Sequence, residues 1–204
     1  MGGLPDVWCF WLHMTKENLD DGWLLFDPEF LSKKEADSLF NRLNSSLPWQ
    51  QGKVTLFGKT YGTPRLESLH VIEGKTYHYS GNTLVSHPFT EDLEYIKNKI
   101  ELVSGESFNC VLANLYRDGK DSNGWHADNE KELGINPIIA SISLGAERRF
   151  DLKHIASGAS KQLLLPHGSL LIMGGSMQHH WKHCIAKSMK VLVPRINLTF
   201  RKLV

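Results

Sequence analysis

The sequence predicts a mainly β protein of the α+β class, a β-sandwich or barrel with helices packed outside it. Two amphipathic helical segments come first, and at least six short strands separated by turn residues follow them. A length of 204 residues, 41% of them hydrophobic and 22% charged, is typical of a single globular domain with a substantial core. No apolar run is long enough to span a bilayer, so no membrane association is expected.

Both helices are predicted from their caps and from apolar residues at helical spacing. A capping box that begins at Ser32 predicts a helix that continues to about Ser46. A second helix is predicted over Glu91–Ser104, with Thr90 as N-cap and Gly105 as C-cap.

The strands are predicted from short apolar runs between turn residues. Before the second helix these are a short strand at 23–26 and a hairpin over 54–61, with Gly58 in its turn. After it they are 108–116, 138–144, 148–153, 161–165, 169–173 and 191–201.

The last strand places two arginines on one face. Side chains alternate between the two faces of a strand. One face carries Ile196, Leu198 and Phe200, and the other carries Arg195, Asn197, Thr199 and Arg201. Burying two unpaired guanidinium groups is costly, whereas each can bind a carboxylate through two parallel hydrogen bonds. The pattern therefore favours a dianionic small ligand, with two structural ion pairs on a half-exposed strand as the alternative.

The net charge of +1 conceals a basic C-terminal region. Residues 152–204 contain eight Lys or Arg and no Asp or Glu, whereas residues 1–151 contain fifteen basic and twenty-two acidic residues. Such a region fits a polyanion, although the two parts could also pair with each other in the fold. The basic residues expected to contact phosphates are Lys182, Lys187 and Lys190, with Arg148, Arg149 and Lys153 in addition. Three widely spaced cysteines favour a reducing, intracellular compartment.

Two clusters predict a metal site. His126 and Asp128 are predicted to lie in the loop that follows the 108–116 strand. They are two residues apart, so in an extended segment both can face one ion, and a later cluster holds His179, His180 and His183. Two imidazoles and one carboxylate leave three positions of an octahedral ion open, which is the arrangement of non-haem Fe(II) oxygenases. A zinc hydrolase can use the same donors but does not explain the two arginines.

The order of these residues along the chain favours 2-oxoglutarate as cosubstrate. An Fe(II) oxygenase that splits this acid needs the metal for its C1 carboxylate and ketone, and a basic residue for its distal carboxylate. Asn114 and Tyr116 share a face of a neighbouring strand and can donate hydrogen bonds to the same acid.

From about residue 50 onward the chain resembles the AlkB family of Fe(II)/2-oxoglutarate-dependent nucleic-acid demethylases. The matching motifs are Asn114-Leu115-Tyr116, His126-Ala127-Asp128, Trp181-Lys182-His183 and the run from Pro194 to Arg201. Within the family the chain is most similar to the animal branch that repairs duplex DNA. That narrower match is carried by the run from Leu56 to Lys59 and the run from Tyr77 to Gly81.

The resemblance implies a double-stranded β-helix, or jelly-roll, core in one domain. Residues 1–49 would form an N-terminal extension and helix, residues 50–90 a β-rich nucleotide-recognition lid, and residues 91–204 a helix and the catalytic core. It also implies Fe(II) held by His126, Asp128 and His183, with His179 and His180 as fallback ligands. 2-Oxoglutarate and O₂ would be cosubstrates. Arg195 would bind the distal carboxylate, and the site would be completed by Arg201, Asn114, Tyr116 and Asn197.

The substrate contacts are likewise implied by the resemblance. They are Phe57, Lys59, Arg65, Tyr77, Tyr79, Ser80, Asn129 and Glu130. Tyr79 and the His126 ring would sandwich a flipped base, and Phe57 would wedge into the stack that the base left. A buried hairpin aromatic is the alternative for Phe57. Asn129 stands where the repair enzymes usually have an aspartate, which alters base preference unless Glu130 supplies the charge.

The function implied is direct-reversal DNA repair. 1-Methyladenine and 3-methylcytosine in DNA, with the duplex as the expected form, would be demethylated oxidatively with release of formaldehyde. The alternatives are a demethylase of RNA or single strands, and a non-catalytic nucleic-acid-binding module. The expected partner is DNA, with RNA also considered. We expect a monomer inside the cell, nuclear in a eukaryote and cytoplasmic in a bacterium.

Overall fold

The structure, a computed structural model, describes residues 13–56, 58–72 and 85–204, with only the backbone of residues 54–56. The first elements are β1 (Thr15–Leu19), β2 (Gly22–Asp27), α1 (Lys33–Ser46), β3 (Gln50–Leu56), β4 (Lys59–Val71), β5 (Ser86–His87) and α2 (Glu91–Ser104). The next are β6 (Cys110–Tyr116), β7 (Asn123–His126), β8 (Ile139–Gly145), β9 (Arg148–His154) and β10 (Ser160–Leu165). The last are β11 (Leu170–Gly174), α3 (Met177–His180), β12 (Trp181–Ile185) and β13 (Arg195–Arg201).

The described strands form two sheets. The larger has the order β1-β2-β11-β8-β13-β6-β4-β3, with β5 beside β4, and the smaller has the order β10-β9-β12-β7. The pairings are antiparallel except that of β4 with β5. Side chains from both sheets line one pocket. This is the predicted mainly β, double-stranded β-helix architecture, which is thereby confirmed.

Strand β13 divides the interior, because its two faces meet different surroundings. Ile196, Leu198 and Phe200 are fully buried in a core that also holds the apolar faces of α1 and α2. Both helices therefore pack against one face of the larger sheet, as predicted. The other face carries the polar side chains of β13 and a second buried apolar cluster that includes Leu69, Leu112 and Met173. The Ser32 cap is also confirmed, since its hydroxyl accepts the Glu35 N–H. Among the described residues, no helix is long and apolar enough to cross a membrane.

Four of the described strands lie outside the predicted set, namely β1, β5, β7 and β12. The loop predicted around His126 is wrong, because β7 is a strand that pairs with β12. Its four residues, Asn-Gly-Trp-His, carry no apolar alternation, so only the partner strand makes them extended. The last strand begins at Arg195 rather than at residue 191, after an exposed Leu192 and Val193 and a proline that cannot donate to a ladder.

The predicted hairpin is present between β3 and β4. Leu56 pairs with Lys59, and Gly58 adopts a φ of 75°, which glycine tolerates without strain. The far half of β4, from Leu66 to Val71, pairs with β6 in the larger sheet. Part of the range assigned to the nucleotide-recognition lid therefore belongs to the sheet, and the division into lid and core stays a prediction.

Strand β4 also carries a buried histidine whose titration should affect stability. His70 Nδ1 donates to the Pro88 carbonyl at 2.7 Å, and Nε2 lies 2.9 Å from the Ser68 hydroxyl. Burial lowers the pKa of His70, and the nearby His87 lowers it further. The hydrogen bond to the Pro88 carbonyl acts in the opposite direction but is outweighed. Below about pH 6.5, His70 binds a proton in the unfolded chain but stays neutral in the folded chain. The contribution of His70 to stability is therefore complete above that pH and is lost progressively as the pH is lowered.

We expect His70 to contribute a loss of up to about 1.4 kcal/mol per pH unit below about pH 6.5. Urea unfolding at pH 7.5 and 5.5 measures it. The His70→Gln variant should lose less stability between the two pH values than the wild type. His179→Gln, at an exposed position, is the matched control and should behave as wild type. Equal losses in wild type and His70→Gln would contradict the assignment.

Candidate metal centre

Three side chains that can bind a metal meet between the sheets. Pairing of β7 with β12 sets His126 opposite His183, with ring centroids 4.3 Å apart. His183 Nε2 lies 4.0 Å from a carboxylate oxygen of Asp128, which follows β7 by two residues. One ligand atom from each of the three lies within 4.8 Å of the other two. The spacing lets one ion bridge all three.

Both imidazoles present an unprotonated nitrogen at neutral pH. His126 Nδ1 lies 2.8 Å from the Gly124 carbonyl and donates to it, which leaves Nε2 with its lone pair. The Asn123 amide donates to that Nε2 at 3.2 Å. Burial lowers the pKa of His126, and burial with the nearby His126 lowers the pKa of His183 to about 3. The two rings are therefore ligands rather than cations at neutral pH.

The carboxylate of Asp128 is held anionic in the interior. Its side chain is 2% exposed, and Arg201 Nη2 donates to Oδ1 at 2.8 Å. Burial favours the neutral acid, but Arg201 and the two histidines outweigh it, so the pKa of Asp128 falls to about 2. The Asp128 backbone N–H donates to the side-chain carbonyl of Gln178 at 3.0 Å, which fixes the loop. Arg201 thus supports the metal ligand, and its predicted contact with 2-oxoglutarate stays a prediction.

Arg195 is buried on the same face of β13 with donors left over. It is 0% exposed, and its Nη2 donates to Ser143 Oγ at 2.9 Å and Asn197 Oδ1 at 2.8 Å. Among the described residues, Nε and Nη1 of Arg195 are buried without a hydrogen-bond partner. Burial lowers the pKa of Arg195 to about 10, so it remains a cation at neutral pH. A buried cation with an unpartnered Nη1 can donate to a carboxylate, as 2-oxoglutarate requires.

The other side chains predicted to contact 2-oxoglutarate lie on the same surface. The sheet register places Asn114 opposite Asn197 and Tyr116 opposite Arg195. The Arg195 guanidinium lies 5.3 Å from the centre of the Tyr116 ring. The pocket is lined by Asn114, Tyr116, Ser141, Asn197 and Arg201 from the larger sheet, by Phe150 and His183 from the smaller one, and by Asp128. The structure brings the predicted set together, and each contact with the acid stays a prediction.

Arg65 lies deeper than a substrate contact would. It is buried, with Nη2 2.6 Å from Glu67 Oε1, and its Nε donates to Asn114 Oδ1 at 2.7 Å. These contacts position Asn114 within the pocket, and a contact of Arg65 with substrate stays a prediction. Lys59 and Asn129 are exposed, and Glu130 is half-buried. The predicted contacts Phe57, Tyr77, Tyr79 and Ser80 lie outside the described residues.

The prediction that Arg148 contacts phosphates is wrong. Arg148 is buried, and it donates to the backbone carbonyls of Asp118, Asp121 and Ala186. His179 and His180, the predicted fallback ligands, lie outside the metal group, whose third member is His183.

Sequence reasoning missed several residues that shape the site. Ser141 and Ser143 hold Asn197 and Arg195, and Asn123 and Gln178 hold two of the metal ligands. A signal existed for the serines, since they alternate with apolar residues along β8 and so face one side of the sheet. No local pattern distinguishes Asn123 or Gln178.

Comparison with known proteins agrees with this geometry. Residues 24–201 match the 2OG-Fe(II) oxygenase superfamily. The chain is 38% identical over 204 residues to human DNA oxidative demethylase ALKBH2, covering 95% of this chain and 77% of that protein. It is 41% identical over 185 residues to bovine alpha-ketoglutarate-dependent dioxygenase alkB homolog 3, covering 85% and 64% respectively. Its fold is similar to the solved structure of OsALKBH1, with a TM-score of 0.64 at 18% identity over 92% of this chain and 100% of that one.

Fold, site and superfamily match together define the class, which is that of Fe(II)- and 2-oxoglutarate-dependent dioxygenases. Within that class the chain belongs to the AlkB family of nucleic-acid demethylases, as identities of 38% and 41% over most of its length show. The predicted family, enzyme class and cofactors are thereby confirmed.

Proposed function

We propose that this enzyme repairs DNA by oxidative demethylation of 1-methyladenine and 3-methylcytosine, with duplex DNA as its main substrate. The observation that carries the proposal is the 38% identity, over 95% of the chain, to a protein named as a DNA oxidative demethylase. If so, the enzyme acts where the genome is, which is the nucleus of a eukaryote or the cytoplasm of a bacterium. We propose that it acts as a monomer.

The charge around the site supports a nucleic-acid substrate. Lys182, Lys187 and Lys190 are exposed on β12 and in the segment after it, and β12 carries the metal ligand His183. Lysines in that position can bind phosphates while a base enters the pocket. Binding should therefore weaken as salt concentration rises.

The residues of this chain would bind and orient the metal and the cosubstrate, and would form no covalent bond to the substrate during demethylation. When bound, Fe(II) would supply the oxidising chemistry, with O₂ as the oxidant. One oxygen atom would hydroxylate an N-methyl group, whose hydroxymethyl product leaves as formaldehyde, and the other would convert 2-oxoglutarate to succinate and CO₂. Arg195 would orient the distal carboxylate of the acid through its unpartnered Nη1. Arg201 keeps Asp128 anionic, and Gln178 fixes the backbone at that residue. Phe150 and Met173 give the pocket an apolar wall that excludes water.

The test is formaldehyde release from matched oligonucleotides that each carry one 3-methylcytosine. The protein is supplied with Fe(II), 2-oxoglutarate and ascorbate, and the oligonucleotide is duplex DNA, single-stranded DNA or RNA. Release fastest from the duplex supports the proposal. Release confined to single strands or RNA would overturn the duplex assignment. Consumption of 2-oxoglutarate without formaldehyde from any of the three would mean that the proposed substrates are wrong.

Phe57 gives a second, independent test of the duplex assignment. If it fills the gap that a flipped base leaves, Phe57→Ala should lower release from duplex DNA by about 10- to 100-fold, because unstacking costs a few kcal/mol that nothing then offsets. Release from single strands should change little. Phe57→Leu keeps an apolar wedge and is the matched control, with most duplex activity retained. Equal losses on duplex and single strands would contradict the wedge.

A further inference from the structure

A second group of metal-binding side chains lies away from the first, where the β1–β2 turn meets the end of β9 and the short helix α3. Asp21 Oδ2 lies 3.0 Å from His154 Nε2 and 3.7 Å from His180 Nδ1. One ligand atom from each residue lies within 4.8 Å of the other two. We propose that Asp21, His154 and His180 bind a transition-metal ion of the Zn²⁺ type, independently of the His126 group.

The distances suit such an ion. Ligand atoms about 2.0–2.1 Å from zinc at tetrahedral angles lie about 3.3 Å from one another. The two carboxylate–imidazole distances, 3.0 and 3.7 Å, lie on either side of that value. Two imidazoles and one carboxylate, with water in the fourth position, form a donor set that zinc uses in proteins. The two imidazole nitrogens lie within 4.8 Å of each other. They would therefore have to approach by up to about 1.5 Å to reach the tetrahedral separation.

Other contacts already hold the backbone at Asp21 and the ring of His154. The Ser176 hydroxyl donates to the Asp21 backbone carbonyl at 3.0 Å, and the Trp181 indole N–H donates to the Asp20 backbone carbonyl at 2.7 Å. The His154 ring packs edge-on against Trp181 at 5.1 Å and lies nearly parallel to the His180 ring, 8° apart in plane and 6.1 Å between centroids. Binding an ion would therefore order the half-exposed side chains of Asp21 and His180 against a His154 ring that is already fixed.

His154 has a hydrogen-bond acceptor for its second ring nitrogen when the first one binds a metal. Metal binding through Nε2 puts the proton on Nδ1, which lies 2.9 Å from the Ser157 hydroxyl. That hydroxyl can accept a hydrogen bond from the Nδ1–H, and such an outer partner is usual for a metal-bound histidine. The Ser157 N–H, 3.1 Å from Nδ1, must then turn away, a change confined to an exposed turn. The competing arrangement is a metal-free one in which His154 donates from Nε2 to Asp21.

An ion here would join segments that are distant in sequence. Asp21 belongs to the N-terminal hairpin, and His180 ends the helix that leads directly into β12. Three residues further on, β12 carries His183 of the first metal group. Zinc binding should therefore stabilise the attachment of the N-terminal hairpin to the strand that carries that ligand.

The experiment is a Zn²⁺ titration of the EDTA-treated full chain by equilibrium dialysis, repeated with Co²⁺ to record its visible absorption. We expect two equivalents in wild type, one in Asp21→Asn and in His180→Gln, and one in His126→Ala. His179→Gln, next to the site but outside it, should bind two. Saturating Zn²⁺ should raise the Tm of His126→Ala by about 5 °C, and that of His126→Ala/Asp21→Asn not at all.

Two results would overturn the proposal. One is two equivalents retained in Asp21→Asn, and the other is a wild type with a single equivalent that His126→Ala removes. A single equivalent lost in Asp21→Asn but kept in His126→Ala would support this site and count against metal binding by the first group. The outcomes for the two sites are thus distinguishable without measuring demethylation.

Discussion

Replacing Asp128 with alanine should reduce formaldehyde release to background and lower the free energy of unfolding by about 3–5 kcal/mol. The activity is lost because Asp128 is the carboxylate of the metal group. The stability is lost because Asp128 offsets the charge of Arg201 at 2.8 Å, with both side chains 2% exposed. Urea unfolding in EDTA measures the second effect without any contribution from metal binding.

Matched variants separate the two roles of Asp128. The double variant Asp128→Ala/Arg201→Met removes both charges, so it should recover much of the lost stability and remain inactive. Asp128→Asn keeps the shape of the side chain without its charge and should also be inactive. Turnover in Asp128→Ala would exclude the aspartate as a ligand. Unchanged stability in that variant would contradict the buried pairing with Arg201.

Replacing Arg195 with methionine should weaken 2-oxoglutarate binding by about 2–5 kcal/mol, which raises its KM by a factor of about 30 to 5,000. The unpartnered Nη1 of Arg195 would otherwise bind the distal carboxylate. Stability in the absence of 2-oxoglutarate should not fall, and could rise, since the variant no longer buries a cation with two unused donors. In wild type alone, saturating 2-oxoglutarate with Mn²⁺ should raise the Tm.

Arg149→Met is the control for the loss of an arginine. Arg149 is exposed on β9, where its Nε lies 3.0 Å from Asp151, so its removal should leave the KM for 2-oxoglutarate unchanged. An unchanged KM in Arg195→Met would exclude Arg195 as the partner of the distal carboxylate. A fall in stability without 2-oxoglutarate would show that the guanidinium has a structural role in the empty pocket.

Local patterns in the sequence determined much of the fold and half of the site. The alternation along β13 separated the core face, with Ile196, Leu198 and Phe200, from the polar face that carries Arg195. Caps and apolar spacing determined α1 and α2 within a residue or two. The two-residue spacing of His126 and Asp128 also predicted that they could share one ion, and the structure places both in one group. Strand alternation, helix caps and short spacings depend only on residues that are close together in the chain, so a single sequence is enough to predict them.

Only the tertiary structure decided which distant side chains meet. Strand β7 is extended because β12 pairs with it, and that pairing selects His183 from three nearby histidines. The positions of Arg201 beside Asp128, and of Arg65 beside Asn114, depend on sheet register across 73 and 49 residues. Arg148 resembles a surface cation in the sequence, but backbone carbonyls hold it in the interior. Charge pairing and burial are properties of the packed chain, because they depend on what the rest of the fold brings alongside.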